Sequence, residues 1–355
     1  MSQMNGVEME FEPFAIATCE ALSEGRYRPR PYEPIEGKPF APFEIYDQFG
    51  LRNAIVPVFR QRMDGRMYGM GTAFHVDGFG GFLTAYHVVD FSEGDRASRP
   101  VLFLSMHAVV YGTVGIPSDC FVPATEVTVP MVDVADPLAA LRGQSVQQPA
   151  IDVASLRASE IGPGARAPQT LPVRTSGWIP KPGEIVLAVG FPELDLSELT
   201  DADQSALLTE GMYGAYGRIV AIHPNGTSSS NPTPVFQVES DWPSGMSGGP
   251  VFNRGGEVVG IVSRSLRGAP GMVGVGYAAH FAMAPDLPRL TPFLSGCGPG
   301  WRSCWGVFSG SGDALVSIHA TREDAEMAVT KVGEPREIKA IENRIGTTDF
   351  MNLAC

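Results

Sequence analysis

The sequence predicts an all-β protein followed by a small α+β segment, and three observations carry that expectation. Glycine and proline are abundant, 41 and 30 of 355 residues, while only 18% of residues are charged. Short apolar runs rich in β-branched and aromatic residues recur between turn clusters such as Pro224-Asn225-Gly226 and Arg254-Gly255-Gly256. From about residue 300 the pattern changes to alternating runs around a helix opener, Thr321-Arg322-Glu323-Asp324.

Residues 1–45 are dense in proline, as in Arg28-Pro29-Arg30-Pro31, and read as an extended arm without regular helix or sheet. A first strand set follows at Ala54–Arg60, Met67–Val76, Gly81–Thr84, Val101–Leu104 and Ile151–Leu156, interrupted by a long insertion over 110–148. A second set covers Ile185–Gly190, Tyr213–Ile222, Val235–Val238, Val251–Phe252, Val258–Val262 and Val273–Ala278. Pro285–Leu294 closes this set as a short helix. Residues 300–355 read as a β-β-α-β appendage of about 55 residues, marginal as a fold of its own.

The chemistry starts at Gly245-Met246-Ser247-Gly248-Gly249-Pro250-Val251. Glycines on both sides let the backbone turn sharply and aim amides at a reacting carbonyl, which makes Ser247 a candidate nucleophile. A serine hydroxyl needs a base and an orienting carboxylate. His87 is the candidate base, in the turn that ends the apolar run Gly81-Phe82-Leu83-Thr84-Ala85-Tyr86-His87-Val88-Val89. Asp152 is the candidate carboxylate, set in the otherwise apolar Ile151-Asp152-Val153-Ala154, where burial demands hydrogen-bond partners. Asp133 and Asp136 are its rivals. His75, His107, His223, His280 and His319 read as structural.

Thr84-Ala85-Tyr86-His87, Asp152-Val153-Ala154-Ser155-Leu156, the Ser247 run and Gly260-Ile261-Val262-Ser263 occur in the order His, Asp, Ser. Over roughly residues 50–290 the chain thereby resembles the chymotrypsin-like (trypsin-like) serine proteases, in particular the intracellular and bacterial members related to the HtrA/Deg group. The resemblance implies a two-barrel protease domain over 46–295, with barrels at roughly 46–160 and 175–295 and the catalytic groups between them. It implies a serine endopeptidase working through an acyl-enzyme, with the amides of Gly245 and Ser247 as oxyanion hole and no cofactor or metal. The appendage is too small for the PDZ modules of HtrA-like relatives; a docking role for a regulatory partner and simple packing on the core both stay open.

The resemblance also frames specificity. Asp241 stands where trypsin places its acidic pocket base, and it equally fits a structural acid ahead of the serine loop. Ser263 to Ser265 and Gly274 to Ala278, with Tyr277 among them, are the implied pocket walls, and Arg264 pointing inward selects acidic or neutral groups. In the digestive enzymes the position of Met246 holds an aspartate that pairs with a newly cut amino terminus. Methionine forms no such pair, so activity is expected without that cleavage.

Composition excludes other classes. A net charge of −13 with pI near 4.9 opposes a nucleic-acid partner and favours a basic or neutral polypeptide. No basic leader opens the sequence and no run approaches the roughly 18 apolar residues of a membrane span, which gives the expectation of a cytoplasmic protein away from membranes. Cys19, Cys120, Cys297, Cys304 and Cys355 are scattered and odd in number, as reduced thiols are, and Cys297 with Cys304 alone is a weak metal signal. Gly245-x-Ser247-x-Gly249, with Asp286 and His319 downstream, also fits an α/β-hydrolase elbow, but Gly249-Pro250 leads into a strand where an elbow needs a helix. A protease-fold peptide-binding protein without turnover and a latent protease awaiting a partner are the remaining alternatives.

Overall fold

The computed structural model describes residues 12–24, 30–46, 50–77, 80–91, 98–104, 116, 118–134, 146–158, 169–174, 177–228, 233–269, 271–283, 301–310, 314–319, 322–332, 335–344 and 348–352. The expected helix at 285–294 lies outside them.

The proline-rich segment is more structured than expected. Strand β1 (Phe14–Ala15) pairs with β2 (Pro31–Tyr32), a short helix spans Cys19–Glu24, and β3 (Phe43–Glu44) joins the second sheet described below. Prolines keep these pieces short, but Phe14, Ile16, Tyr32, Phe40 and Ile45 are buried in the main core. The Tyr216 hydroxyl accepts from the Phe14 amide and donates to the Tyr32 carbonyl, which ties both ends of the segment to one buried side chain.

The first sheet is antiparallel. It contains β4 (Ile55–Gln61), β5 (Met67–His75), β6 (Gly81–Thr84), β7 (Arg99–Phe103), β8 (Phe121–Pro123), β9 (Glu126–Thr128) and β12 (Ala154–Arg157), in the order β8-β7-β4-β5-β6-β12-β9. It curls as a half-barrel whose edges β8 and β9 are not paired to each other. The insertion thus supplies two strands of this sheet, and also a separate hairpin of β10 (Met131–Val134) and β11 (Val146–Pro149). Strand β12 begins at Ala154, later than the sequence pattern suggests, so Asp152 sits in the turn before it.

The second sheet closes on itself. Its strands are β13 (Ile185–Gly190), β14 (Tyr213–His223), β15 (Val235–Glu239), β16 (Pro250–Phe252), β17 (Val258–Leu266) and β18 (Val275–His280). They run β13-β16-β17-β18-β15-β14, and pairing of β13 with β14 completes the ring. Val186, Ala188, Phe236, Val238, Val251 and Ala278 fill the interior. The two-barrel, chymotrypsin-like architecture expected from the sequence is present, one barrel closed and one open.

A helix over Asp201–Glu210 was not anticipated, although its signal was in the sequence: Thr200 accepts from the Asp203 amide and the Asp203 carboxylate returns to the Thr200 amide. The C-terminal part is a sheet of β19 (Trp301–Phe308), β20 (Leu315–His319), β21 (Glu337–Arg344) and β22 (Phe350–Asn352), in the order β20-β19-β21-β22, with a helix over Arg322–Val332. Strand β22 extends the expected β-β-α-β pattern.

His280, at the end of β18, is 1% exposed and neither ring nitrogen has a hydrogen-bond partner. Trp178 stacks on it at 5.6 Å and Phe236 meets it edge-on at 5.8 Å. Burial pushes its pKa down to about 4, whereas an unfolded histidine titrates near 6.5. The unfolded chain therefore binds the proton more readily, and this contribution to stability is complete above about pH 6.5 and lost as the pH falls toward about 4. Denaturant melts of wild type and His280→Phe across that window are expected to differ in slope by on the order of 3 kcal/mol in total. Parallel curves would contradict this account of the buried ring.

Candidate active site

His87 lies in a single helical turn, Tyr86–Val89, which leaves β6 through the extended Ala85. Its imidazole faces the turn holding Asp152: Nδ1 is 2.9 Å from Asp152 Oδ2, and the His87 amide donates to Asp152 Oδ1 at 3.2 Å. A carboxylate only accepts, so Nδ1 carries the hydrogen and Nε2 is left as the basic nitrogen. The third donor comes from the second barrel, where the register of β17 on β18 shifts between Val262 and Arg264. That bulge sends the Ser263 hydroxyl to Asp152 Oδ2 at 2.5 Å.

Opposing influences set the two pKa values. Burial disfavours charge on His87, but the hydrogen bond and the charge of Asp152 outweigh it and hold the imidazole above its ordinary value. Burial likewise raises Asp152, yet the hydrogen bond and charge of His87, then the Ser263 hydroxyl and the His87 amide, bring the carboxyl below its usual range.

Ser247 occupies a turn that only glycine permits on both sides, Gly245 at φ +93° and Gly248 at φ +83°. A Cβ on Gly248 would stand 2.1 Å from the Thr72 carbonyl oxygen, so the turn lies directly on β5. Thr72 fastens it there. Its amide donates to the Ser247 carbonyl at 2.8 Å, and its hydroxyl accepts from the Phe191 amide at 2.9 Å. A Cβ on Gly71 would meet both the Ser247 carbonyl oxygen at 2.4 Å and Val88 Cγ2 at 2.9 Å, which places the serine turn beside the helical turn of His87. Among the described residues, Ser247 Oγ makes no hydrogen bond to His87 Nε2, and the amides of Gly245 and Ser247 have no protein acceptor. Gly249-Pro250 then enters strand β16, which rules out the elbow geometry of an α/β-hydrolase.

The other candidates are distributed differently. Asp241 is exposed and its Oδ1 accepts from the Gly274 amide at 3.0 Å. The Ser263 hydroxyl, expected in a pocket wall, donates to the Asp152 carboxylate and helps to hold it. Arg264 lies over the Tyr277 ring at 4.4 Å and donates to Thr227 Oγ1. Met246 is fully buried in the interior of the second barrel. Asp133 is exposed in β10 and accepts from Gln147 at 3.3 Å; Asp136, Asp286 and His107 lie outside the described residues. His75 is buried, accepting from the Gly80 amide at Nε2 and bonded through Nδ1 to the Gln169 carbonyl. His223 bonds to Gln237 and His319 to Ser317.

Among the described residues no group of three or more His, Cys, Asp or Glu side chains could hold a metal ion, and no helix is long and apolar enough to cross a membrane. Cys19, Cys120 and Cys304 are buried thiols, while Cys297 and Cys355 lie outside the described residues.

Comparison with known proteins places the chain among peptidases. A probable periplasmic serine endoprotease DegP-like from Pseudomonas savastanoi pv. phaseolicola is 34% identical over 121 residues, 34% of this chain and 22% of that protein. One of the same name from Pseudomonas putida (strain W619) is 36% identical over 107 residues, 30% of this chain and 19% of its own. The chain thus spans about a fifth of the length of these curated relatives. Among solved structures, the active form of the Rv3671c protease from M. tuberculosis is 17% identical with a TM-score of 0.40, covering 68% of this chain and 81% of its own. The profile of the trypsin-like peptidase domain matches residues 71–261, a span that holds His87, Asp152 and Ser247 and more than half of the sequence. The chain belongs to the trypsin-like peptidase family, the hydrolases of the serine-protease type.

Proposed function

We propose that this chain is a serine endopeptidase that cleaves polypeptides through Ser247, His87 and Asp152 by way of an acyl-enzyme. The observation that carries the reading is the 2.9 Å hydrogen bond between His87 Nδ1 and the Asp152 carboxylate, because it leaves Nε2 as a base directed away from the acid. Nε2 takes the Ser247 proton as Oγ attacks the scissile carbonyl. The amides of Gly245 and Ser247 receive the oxyanion, each donor contributing roughly 3 kcal/mol in the transition state. The imidazolium, stabilised by Asp152, then gives its proton to the leaving amine, and water repeats the sequence on the acyl ester.

The unmade bond between Ser247 Oγ and His87 Nε2 favours one second reading, a latent protease in which substrate or a regulatory partner draws the hydroxyl in. Loose catalytic hydrogen bonds are common without substrate, so this separation also suits an enzyme at rest. The C-terminal sheet and helix are the natural place for such a partner. Buried thiols suit a reducing compartment and hence a cytoplasmic location, although the relatives named above are periplasmic by name.

A fluorophosphonate probe is expected to label wild type and not Ser247→Ala, with peptide hydrolysis lost in parallel. Labelling that appears only with an added partner selects the latent reading, no labelling selects a binding protein without turnover, and equal labelling of both chains removes Ser247 as the nucleophile.

The pH profile follows from the raised pKa of His87. Protonated His87 cannot accept the serine proton, so kcat/KM falls with pH below an apparent pKa that lies above that of a free imidazole. Asp152→Asn is expected to lower kcat roughly 10⁴-fold, the loss seen for this change in trypsin, and to move the acid limb to lower pH. An unmoved limb measured by steady-state kinetics would count against Asp152 as the orienting acid.

A further inference from the structure

We infer that the space for the substrate residue just before the cleaved bond is filled by this chain's own Trp242, so that cleavage follows small residues: glycine, alanine or serine. The inference rests on the reading of Ser247 as nucleophile. A scissile carbonyl must present its carbon to Ser247 Oγ and its oxygen to the amides of Gly245 and Ser247, with the leaving amine toward His87. The side chain of the residue that owns the carbonyl then falls on the far side from His87. On that side we take it to meet the segment Asp241–Gly245 and the adjoining ends of β17 and β18, which the Gly274 amide joins to Asp241 Oδ1.

Ser265 and Gly276 are direct cross-strand partners at those ends, so they share one face of the sheet. The indole lies against that face. A Cβ built on Gly276 would be 2.5 Å from Trp242 Cε3 and 2.9 Å from Cδ2, which means the ring rests flat on the glycine where a side-chain pocket would need open volume. Trp242 is 1% exposed, and Nε1 donates to the Ala215 carbonyl at 3.1 Å. Its neighbours in the barrel interior include Met246, Val262 and Ala278. Swinging the ring out would break that bond in a buried setting and expose a large apolar surface, so the indole acts as a fixed floor.

Neither charged candidate compensates. Asp241 accepts from the Gly274 amide at 3.0 Å and stands exposed to solvent. Arg264 is spent on Tyr277 and Thr227. A long side chain therefore meets no room, and Arg264 is already engaged, whereas a methyl or hydroxymethyl group fits above the ring.

The test uses the full-length chain. It is first treated with the fluorophosphonate probe and then profiled on a peptide library varied only at the residue preceding the cleaved bond. The expected result is Ser247-dependent labelling together with turnover of Gly, Ala and Ser peptides at least about tenfold above Leu, Phe, Lys or Arg. Trp242→Leu is expected to shift the preference toward Leu and Phe by about tenfold, and the wild-type profile decides alone if that variant does not fold. Labelling with a wild-type preference for Lys, Arg or Phe overturns the inference and leaves the peptidase reading standing. Absence of both labelling and turnover overturns the two together.

Discussion

A single carboxylate, largely withdrawn from water, governs how this site is built. Asp152 has a side chain 14% exposed, and a buried acid without donors would protonate or unfold its surroundings. Three groups prevent that: the amide and Nδ1 of His87 from the first sheet, and the hydroxyl of Ser263 from the second. The acid is thus one point at which the two barrels are joined by hydrogen bonds, and the same bonds fix the tautomer and orientation of the imidazole. Each barrel alone supplies too few donors, so the site exists only when both sheets are in register with each other.

The serine turn obeys a different constraint, that of close backbone approach. It belongs to the second barrel but rests on Thr72 of the first, whose amide, hydroxyl and carbonyl engage Ser247, Phe191 and Thr84 respectively. Gly248 and Gly71 are required because a side chain at either position would collide with backbone atoms of the opposing sheet. These contacts seat the serine turn beside the helical turn that carries His87. Among the described residues the amides of Gly245 and Ser247 have no protein acceptor.

Much of this was legible in the sequence because local patterns carried it. Glycine spacing marked the Ser247 turn, apolar runs marked the strands of both barrels, and the pairing of an acid with apolar neighbours singled out Asp152. What escaped depended on distance in the chain. The Ser263 hydroxyl reaches Asp152 only through a bulge in β17, and a bulge leaves no periodic mark when the flanking residues are all compatible with a strand. Asp241 matched a spacing that fits both a pocket base and a structural acid, and its bond to the Gly274 amide joins it to a partner 33 residues away. The proline-rich start was read as lacking structure because proline forbids long elements; its scattered Phe14, Ile16 and Tyr32 nevertheless find a shared hydrophobic site and the buried Tyr216 hydroxyl. The helix over Asp201–Glu210 carries a capping signal in Thr200 and Asp203, but those residue types mark turns equally well.

The most direct measurement of the central claim is proton NMR of His87 in the resting enzyme. A hydrogen held between Nδ1 and a buried carboxylate should give a strongly downfield resonance that shifts with a pKa above that of free imidazole and is absent from Asp152→Asn. A wild-type spectrum without such a resonance, with His87 titrating as an ordinary solvated histidine, would contradict the account of how this site is held together.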